Sequence, residues 1–160
     1  MRYLIAIDPG ATTGVAIFAA GLAACDTDSR LRGVRLIKGS HGINTLEIPR
    51  LLYAFPRSDV VCEVPQSYSG SIVSKQSLLK LSFRAGYLVG QLRPREVTAV
   101  KPREWKGQAP KAVDHNRTRR ILTIEELDVL IAEMGRYRKS EQHNIMDAVG
   151  IGLWKLGRRL

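Results

Sequence analysis

Five short apolar runs punctuate the chain, and each has the length and β-branched content of a strand. They are "RYLIAI" from Arg2, "GVAIFAA" from Gly14, "GVRLIKG" from Gly33, "SDVVCEV" from Ser58 and "EVTAV" from Glu96. Gly10 to Gly14 form a turn, so the first two runs are expected to pair as a hairpin. Between the runs the apolar period lengthens. "INTLEIPRLLYAF" has helical spacing, with Pro49 expected to break or kink it. "IVSKQSLLKLSFRAGYLVGQL" repeats apolar residues at Ile72, Leu78, Leu79, Leu81, Tyr87 and Leu88.

After the fifth strand, "KPREWKGQAPKAVDHNRTRR" is polar and basic. Thr123 with Glu126 then matches a capping box ahead of "IEELDVLIAEM". "SEQHNIMDAVGIGLWKLGRRL" reads as a closing amphipathic helix. Three strands, a helix, a strand, a helix, a strand and further helices predict an α/β fold. Its core is a five-stranded mixed sheet with helices on both faces.

Composition narrows the class. The chain has 160 residues, 44% apolar and 25% charged, as in an ordinary globular domain. No run is long enough to span a membrane. The apolar start is interrupted at once by Asp8 and Pro9, unlike a signal peptide. Cys25 and Cys62 fit no metal spacing, and Cys62 in a strand suggests a buried thiol in a reducing cytoplasm. The net charge of +10 changes the picture most, because such a surface attracts polyanions, above all nucleic acid.

Acidic residues stand out against that basic background. Asp8 closes the first strand, Glu63 closes the fourth, and Asp147 lies among Ile145, Met146, Ala148 and Val149. His143 and Asn144 lie one turn before Asp147. Each has an ordinary reading. Asp8 can cap the turn, Glu63 can pair with an arginine, Asp147 can sit at the core rim, and His143 can be structural. Taken together, carboxylates gathered from separate elements repel unless cations separate them. Mg²⁺ and Mn²⁺ prefer such oxygen ligands and assist chemistry at phosphates.

Four segments resemble the RuvC-type Holliday junction resolvases of the RNase H-like superfamily: "IAIDPGATTGVAI", "VVCEVPQSY", "SLLKLSFRAGYLVG" and "HNIMDAVGIGLW". "PREWKGQAPK" is a weaker fifth. They run in family order along nearly the whole chain, which then reads as a single RuvC-like nuclease domain over 1–160. The resemblance implies an endonuclease that cleaves branched DNA by paired phosphodiester hydrolysis, leaving 5′-phosphates and 3′-hydroxyls. Asp8, Glu63, Asp147 and His143, or Asn144 through its carbonyl in place of His143, would hold Mg²⁺ or Mn²⁺, with His143 assisting as base. Lys106 and Lys111 would stabilise the phosphate.

Candidate DNA contacts are Tyr68, Lys75, Lys80, Arg84, Lys101 and Arg103, while Trp105 reads as a packing anchor. A homodimer is implied, with its interface on the helix from Ile72 to Leu92. The expected setting is the cytoplasm of a bacterial or phage-infected cell. The family places Asp or His three residues before the last Asp, where this chain has Asn144. The loop after Glu63 and the "EWKG" segment also depart from the family pattern. Two other readings stay open: a non-catalytic clamp for branched nucleic acid, and an actin-like phosphotransferase, which would need a second lobe.

Overall fold

The computed structural model describes residues 2–20, 29–38, 47–66 and 74–158. Strands β1 (Arg2–Asp8), β2 (Thr12–Ala20), β3 (Arg30–Lys38), β4 (Asp59–Glu63) and β5 (Val97–Val100) form one sheet in the order β3-β2-β1-β4-β5. The β1/β2 and β2/β3 pairs are antiparallel, and the β1/β4 and β4/β5 pairs are parallel. This is the mixed sheet that the strand order predicts.

Helices cover both faces, so strand residues of both parities are buried. Leu4, Ala6, Ala16, Phe18 and Val61 pack in one core with residues of α5 (Ile124–Met134) and α6 (Gln142–Lys155). Ile5, Ile7, Val15, Ile17 and Cys62 pack in another with residues of α1 (Glu47–Ala54) and α2 (Lys75–Leu92). Cys62 is a free, buried cysteine, and Cys25 lies outside the described residues. Among the described residues no helix is long and apolar enough to cross a membrane.

Several elements differ from the sequence expectation. Pro49 does not break the described helix, since it lies within α1 (Glu47–Ala54). Helix α2 begins at Lys75 because the Ser74 hydroxyl accepts a hydrogen bond from the Ser77 amide. The basic stretch after β5 folds as two helices, α3 (Pro102–Lys106) and α4 (Lys111–Ile121). A 3₁₀ turn (Lys139–Glu141) precedes α6.

Helix α6 is not amphipathic in place, since Ile145 to Leu153 are all buried. Glycine permits that. A Cβ on Gly14 would lie 1.9 Å from the Asn144 carbonyl oxygen, and one on Gly152 would lie 2.1 Å from Phe18 Cε2. Small residues therefore bring α6 down onto β1 and β2, and this docking sets the site.

The capping box at Thr123 forms as expected: its hydroxyl accepts from the Glu126 amide, and Glu126 Oε2 accepts from the Thr123 amide at 2.9 Å. Glu126 is also buried against Arg158, whose Nη2 donates at 2.7 Å, and it accepts from the Leu31 amide at 2.7 Å. One carboxylate thus joins α5, β3 and the segment that follows α6.

Candidate active site

The sheet register places two carboxylates side by side. Ile7 is the partner of Cys62 in the parallel β1/β4 ladder, so the next residues, Asp8 and Glu63, end neighbouring strands. Side chains alternate along a strand. Asp8 therefore shares a face with Leu4 and Ala6, and Glu63 shares one with Val61, which is the face covered by α6. Asp8 is also the register partner of Gly14, the residue on which the backbone of Asn144 rests. One turn further along α6, Asp147 is buried on the same side of the sheet.

The ordinary readings of Asp8 and Glu63 do not hold. Among the described residues none hydrogen-bonds the Asp8 carboxylate; the turn is tied instead by the Thr13 hydroxyl, which donates to the Gly10 carbonyl at 3.3 Å. Glu63 has no arginine partner there. Its Oε2 accepts a hydrogen bond of 2.6 Å from the indole Nε1 of Trp105. Trp105 is a packing anchor as expected, only 3% exposed, but it also aims a carboxylate. Lys106 Nζ lies 4.9 Å from the Trp105 ring centroid, which holds a cation beside Glu63. At the opposite end of β4 an acidic residue behaves conventionally: Asp59 accepts from Arg2 at 2.6 Å and from Arg95 at 3.0 Å.

Helix α4 supplies the partners of Asp147. Lys111 and His115 are one turn apart and share a face. Lys111 Nζ lies 2.8 Å from Asp147 Oδ2, and His115 Nε2 lies 2.8 Å from Oδ1. An ionised carboxylate only accepts, so His115 Nε2 carries the proton of that bond. The structure thus adds His115 as a histidine at Asp147, beside the expected His143. His143 is exposed in the first turn of α6, before the buried run.

The charges respond to this arrangement. Burial, then the negative charges of Asp147 and Glu63, push the Asp8 carboxyl well above the ordinary carboxylate range, against the pull of Lys111 and Lys106. Burial also raises Glu63, and the Trp105 hydrogen bond and Lys106 offset only part of it. Asp147 is the exception. Burial acts on it too, but the bonds from His115 and Lys111 outweigh it and hold the group below its ordinary value. The site thus contains one neutralised carboxylate and two that lack an adequate counter-charge.

Among the described residues no three His, Cys, Asp or Glu side chains converge into a ready metal cage. The donor chemistry nevertheless suits a hard divalent cation. The donors are carboxylate oxygens, two of them are destabilised as anions, and Mg²⁺ keeps several waters and needs only one or two carboxylates.

The other expected residues scatter more widely. Lys106 and Lys111 join the cluster electrostatically. Lys75 and Lys80 are exposed on α2, as are Lys101 before α3 and Arg103 on it. Arg84 is partly buried, and desolvation lowers its pKa. Tyr68 lies outside the described residues. Sequence alone does not show Trp105 as the aim of Glu63 or His115 as the partner of Asp147. The i, i+4 spacing of Lys111 and His115 was the available signal for the second.

His115 should matter to the site more than His143. His115→Ala is expected to weaken Mn²⁺ binding, followed by electron paramagnetic resonance, by about 10–100-fold, the range for partners that orient a metal-binding carboxylate. His143→Ala should leave it near wild type. Equal losses in the two variants would return the role to α6.

No protein-family model matches the sequence, and no curated protein does. Solved structures do. RuvC of Thermus thermophilus superposes with a TM-score of 0.58 at 19% identity, over 94% of this chain and 91% of that one. The fowlpox virus Holliday junction resolvase gives 0.57 at 18% identity, over 95% of each chain. The yeast mitochondrial Holliday junction resolvase gives 0.58 at 12%, over 97% of this chain and 78% of that one. Both RuvC and the fowlpox enzyme are also known in complex with Holliday junction DNA. The five-stranded sheet and its flanking helices are the RuvC-type, RNase H-like fold.

Proposed function

We propose that this chain, as a single nuclease domain over 1–160, is a divalent-metal-dependent endonuclease that cuts branched DNA such as Holliday junctions. The observation that carries this reading is the placement of Asp8 and Glu63 at adjacent strand ends, on the face where α6 presents Asp147. Neither Asp8 nor Glu63 has an arginine counter-ion among the described residues. The similarity to resolvases that bind Holliday junctions supports the choice of substrate. The setting fits the cytoplasm of a bacterial or phage-infected cell.

In this reading Asp8, Glu63 and Asp147 hold Mg²⁺ or Mn²⁺, which when bound supplies charge neutralisation and Lewis acidity at phosphate oxygens. The chain's own groups do the positioning. Trp105 fixes one oxygen of Glu63, and His115 fixes one oxygen of Asp147. Lys111 neutralises the other Asp147 oxygen and is half-exposed, so its ammonium would also be within reach of a phosphate bound at the site. Lys106 stands by Glu63 as a second cation for the developing charge. Lys75, Lys80, Arg84, Lys101, Arg103 and Tyr68 serve as backbone and base contacts around the branch point.

A branched substrate presents two opposed strands, so paired incision calls for two sites related by a twofold axis. Helix α2 offers the surface for it. Leu79 is 70% exposed and Phe83 is 73% exposed one turn later, with the Tyr87 ring centroid 6.5 Å from that of Phe83. Such an apolar stripe is expected at a contact between copies. Phe83→Glu should convert the dimer to monomer in sedimentation analysis and change paired cuts into single nicks. A variant that stays dimeric would place the interface elsewhere.

The substrate test is a panel of four-way junctions, forks, flaps and linear duplex, each with Mg²⁺ or Mn²⁺. Faster cutting of branched than of linear DNA is expected. Efficient cutting of linear duplex alone would leave a nuclease but remove the branch specificity.

A further inference from the structure

Three grooves lined by arginine or lysine open on the described surface, and their counter-charges differ. In one, by β3 and α1, Arg35 and Arg136 pair with Glu133, and Lys38 pairs with Glu141 at 2.9 Å. In another, Arg30 and Arg32 face Glu125 and Glu126. The third lies between α3 and the second half of α4 and holds about 600 Å³. It is lined by Arg103, Lys106, Arg117, Arg120 and Arg158, with Glu104 as its one carboxylate.

That carboxylate is already used, since Glu104 Oε2 accepts from the Lys101 amide at 2.6 Å. Arg158 is spent on the buried Glu126 at the back of the groove. Arg117 and Arg120 lie three apart on α4, hence on one face, and both are exposed. A cation in the last turn of a helix complements the helix dipole, which accounts for Arg120 and for Arg103 on α3 but not for Arg117. The groove therefore carries a surplus of positive charge.

Its position gives the surplus a use. Trp105 and Lys106 line the same groove. Trp105 donates to Glu63, and Lys106 acts electrostatically on Glu63 and Asp8. The groove thus opens beside the carboxylates and leads away along α4. We infer that it is a track for the phosphodiester backbone of the DNA strand flanking the cleaved phosphate, with Arg117 and Arg120 each neutralising one phosphate. This rests on the nuclease reading and extends it to residues outside the metal cluster.

The test is the salt dependence of binding to a four-way junction in the absence of divalent metal. Each lost phosphate contact reduces the slope of log K against log salt by about 0.9 on duplex and about 0.7 on a single strand. Arg117→Gln with Arg120→Gln should therefore flatten the slope by about 1.4–1.8. In cleavage assays the same variant should need more protein for half-maximal rate while reaching the wild-type maximal rate. Lys38→Gln with Arg136→Gln, which removes cations already paired, should leave the slope unchanged. An unaltered slope in the Arg117/Arg120 variant overturns the track, even where wild type cuts junctions normally. A flattened slope in a protein whose wild type never cuts would keep the track and overturn the nuclease.

Discussion

Replacing Asp8 by asparagine is expected to abolish cleavage and, in metal-free protein, to raise stability. The activity loss should be about three orders of magnitude, the scale of removing a group that stabilises developing charge at the reaction centre. Junction binding should persist, because the backbone contacts remain. The stability gain follows from linkage. Burial, with Asp147 and Glu63 nearby, raises the folded-state pKa of Asp8 well above its unfolded value. The folded state then holds its proton more tightly than the unfolded state does. Wild type loses stability as pH rises from the ordinary carboxylate range through the raised value, and above it the full penalty stands.

Asparagine carries no such penalty. Its melting temperature should exceed that of metal-free wild type at pH 8, and the difference should close toward about pH 4. Saturating Mg²⁺ should reverse the order. A cation present at 100 times its dissociation constant adds about 2.7 kcal/mol to the form that binds it. A variant less stable than metal-free wild type at pH 8 would mean that Asp8 serves the fold rather than a ligand.

Alanine at Gly14 is expected to be among the most damaging single methyl groups that this chain can receive. Its Cβ would sit 1.9 Å from the Asn144 oxygen and 2.4 Å from the Asn144 carbonyl carbon. Both are backbone atoms of α6 and cannot turn aside as a side chain would. Helix α6 must lift from β2, and Asp147 must move with it. Overpacking of this kind costs about 3 kcal/mol, and the melting temperature should fall by roughly 6–12 °C. Below the new melting temperature, activity should remain depressed by about 10²-fold, because a displacement near 1 Å is enough to misalign reacting groups.

Gly152→Ala is the informative control. It clashes with the Phe18 ring, a side chain that can yield, and it lies further along α6 from Asp147. It should cost stability while sparing most of the activity of the folded protein. Equal activity losses in the two glycine variants would show that α6 responds as a whole and that the contact at Gly14 does not specially place the site.

How far the site could be read from the sequence depends on the element. Asp8 and Glu63 were legible because strand periodicity fixes both their position and their face. An acid at the end of an apolar run is conspicuous, and two on parallel neighbouring strands must meet. Asp147 was legible as an acid in an apolar helix, but the helix itself was misread. "SEQHNIMDAVGIGLWKLGRRL" reads as an amphipathic helix, and the contacts of Gly14 and Gly152 explain how α6 is buried from Ile145 to Leu153.

The polar stretch after β5 concealed most. It has little apolar period, so α3 and α4 were not separated, and with them went Trp105 and His115. Helix α4 buries Asp114 and Thr118 rather than apolar residues, so the usual signal for a packed face is missing. His143 lies near Asp147 in sequence, whereas His115 is near it only in space, so sequence spacing alone does not reveal His115.

The decisive measurement is single-turnover cleavage of one four-way junction by wild type and Asp8→Asn, side by side, with Mg²⁺, with Mn²⁺ and with chelator. A metal-dependent centre built on Asp8, Glu63 and Asp147 gives wild-type products bearing 5′-phosphates with either metal and none with chelator. Asp8→Asn should bind the junction and leave it whole. Binding by both proteins with no cleavage by wild type under any metal would contradict the nuclease and leave a clamp for branched DNA.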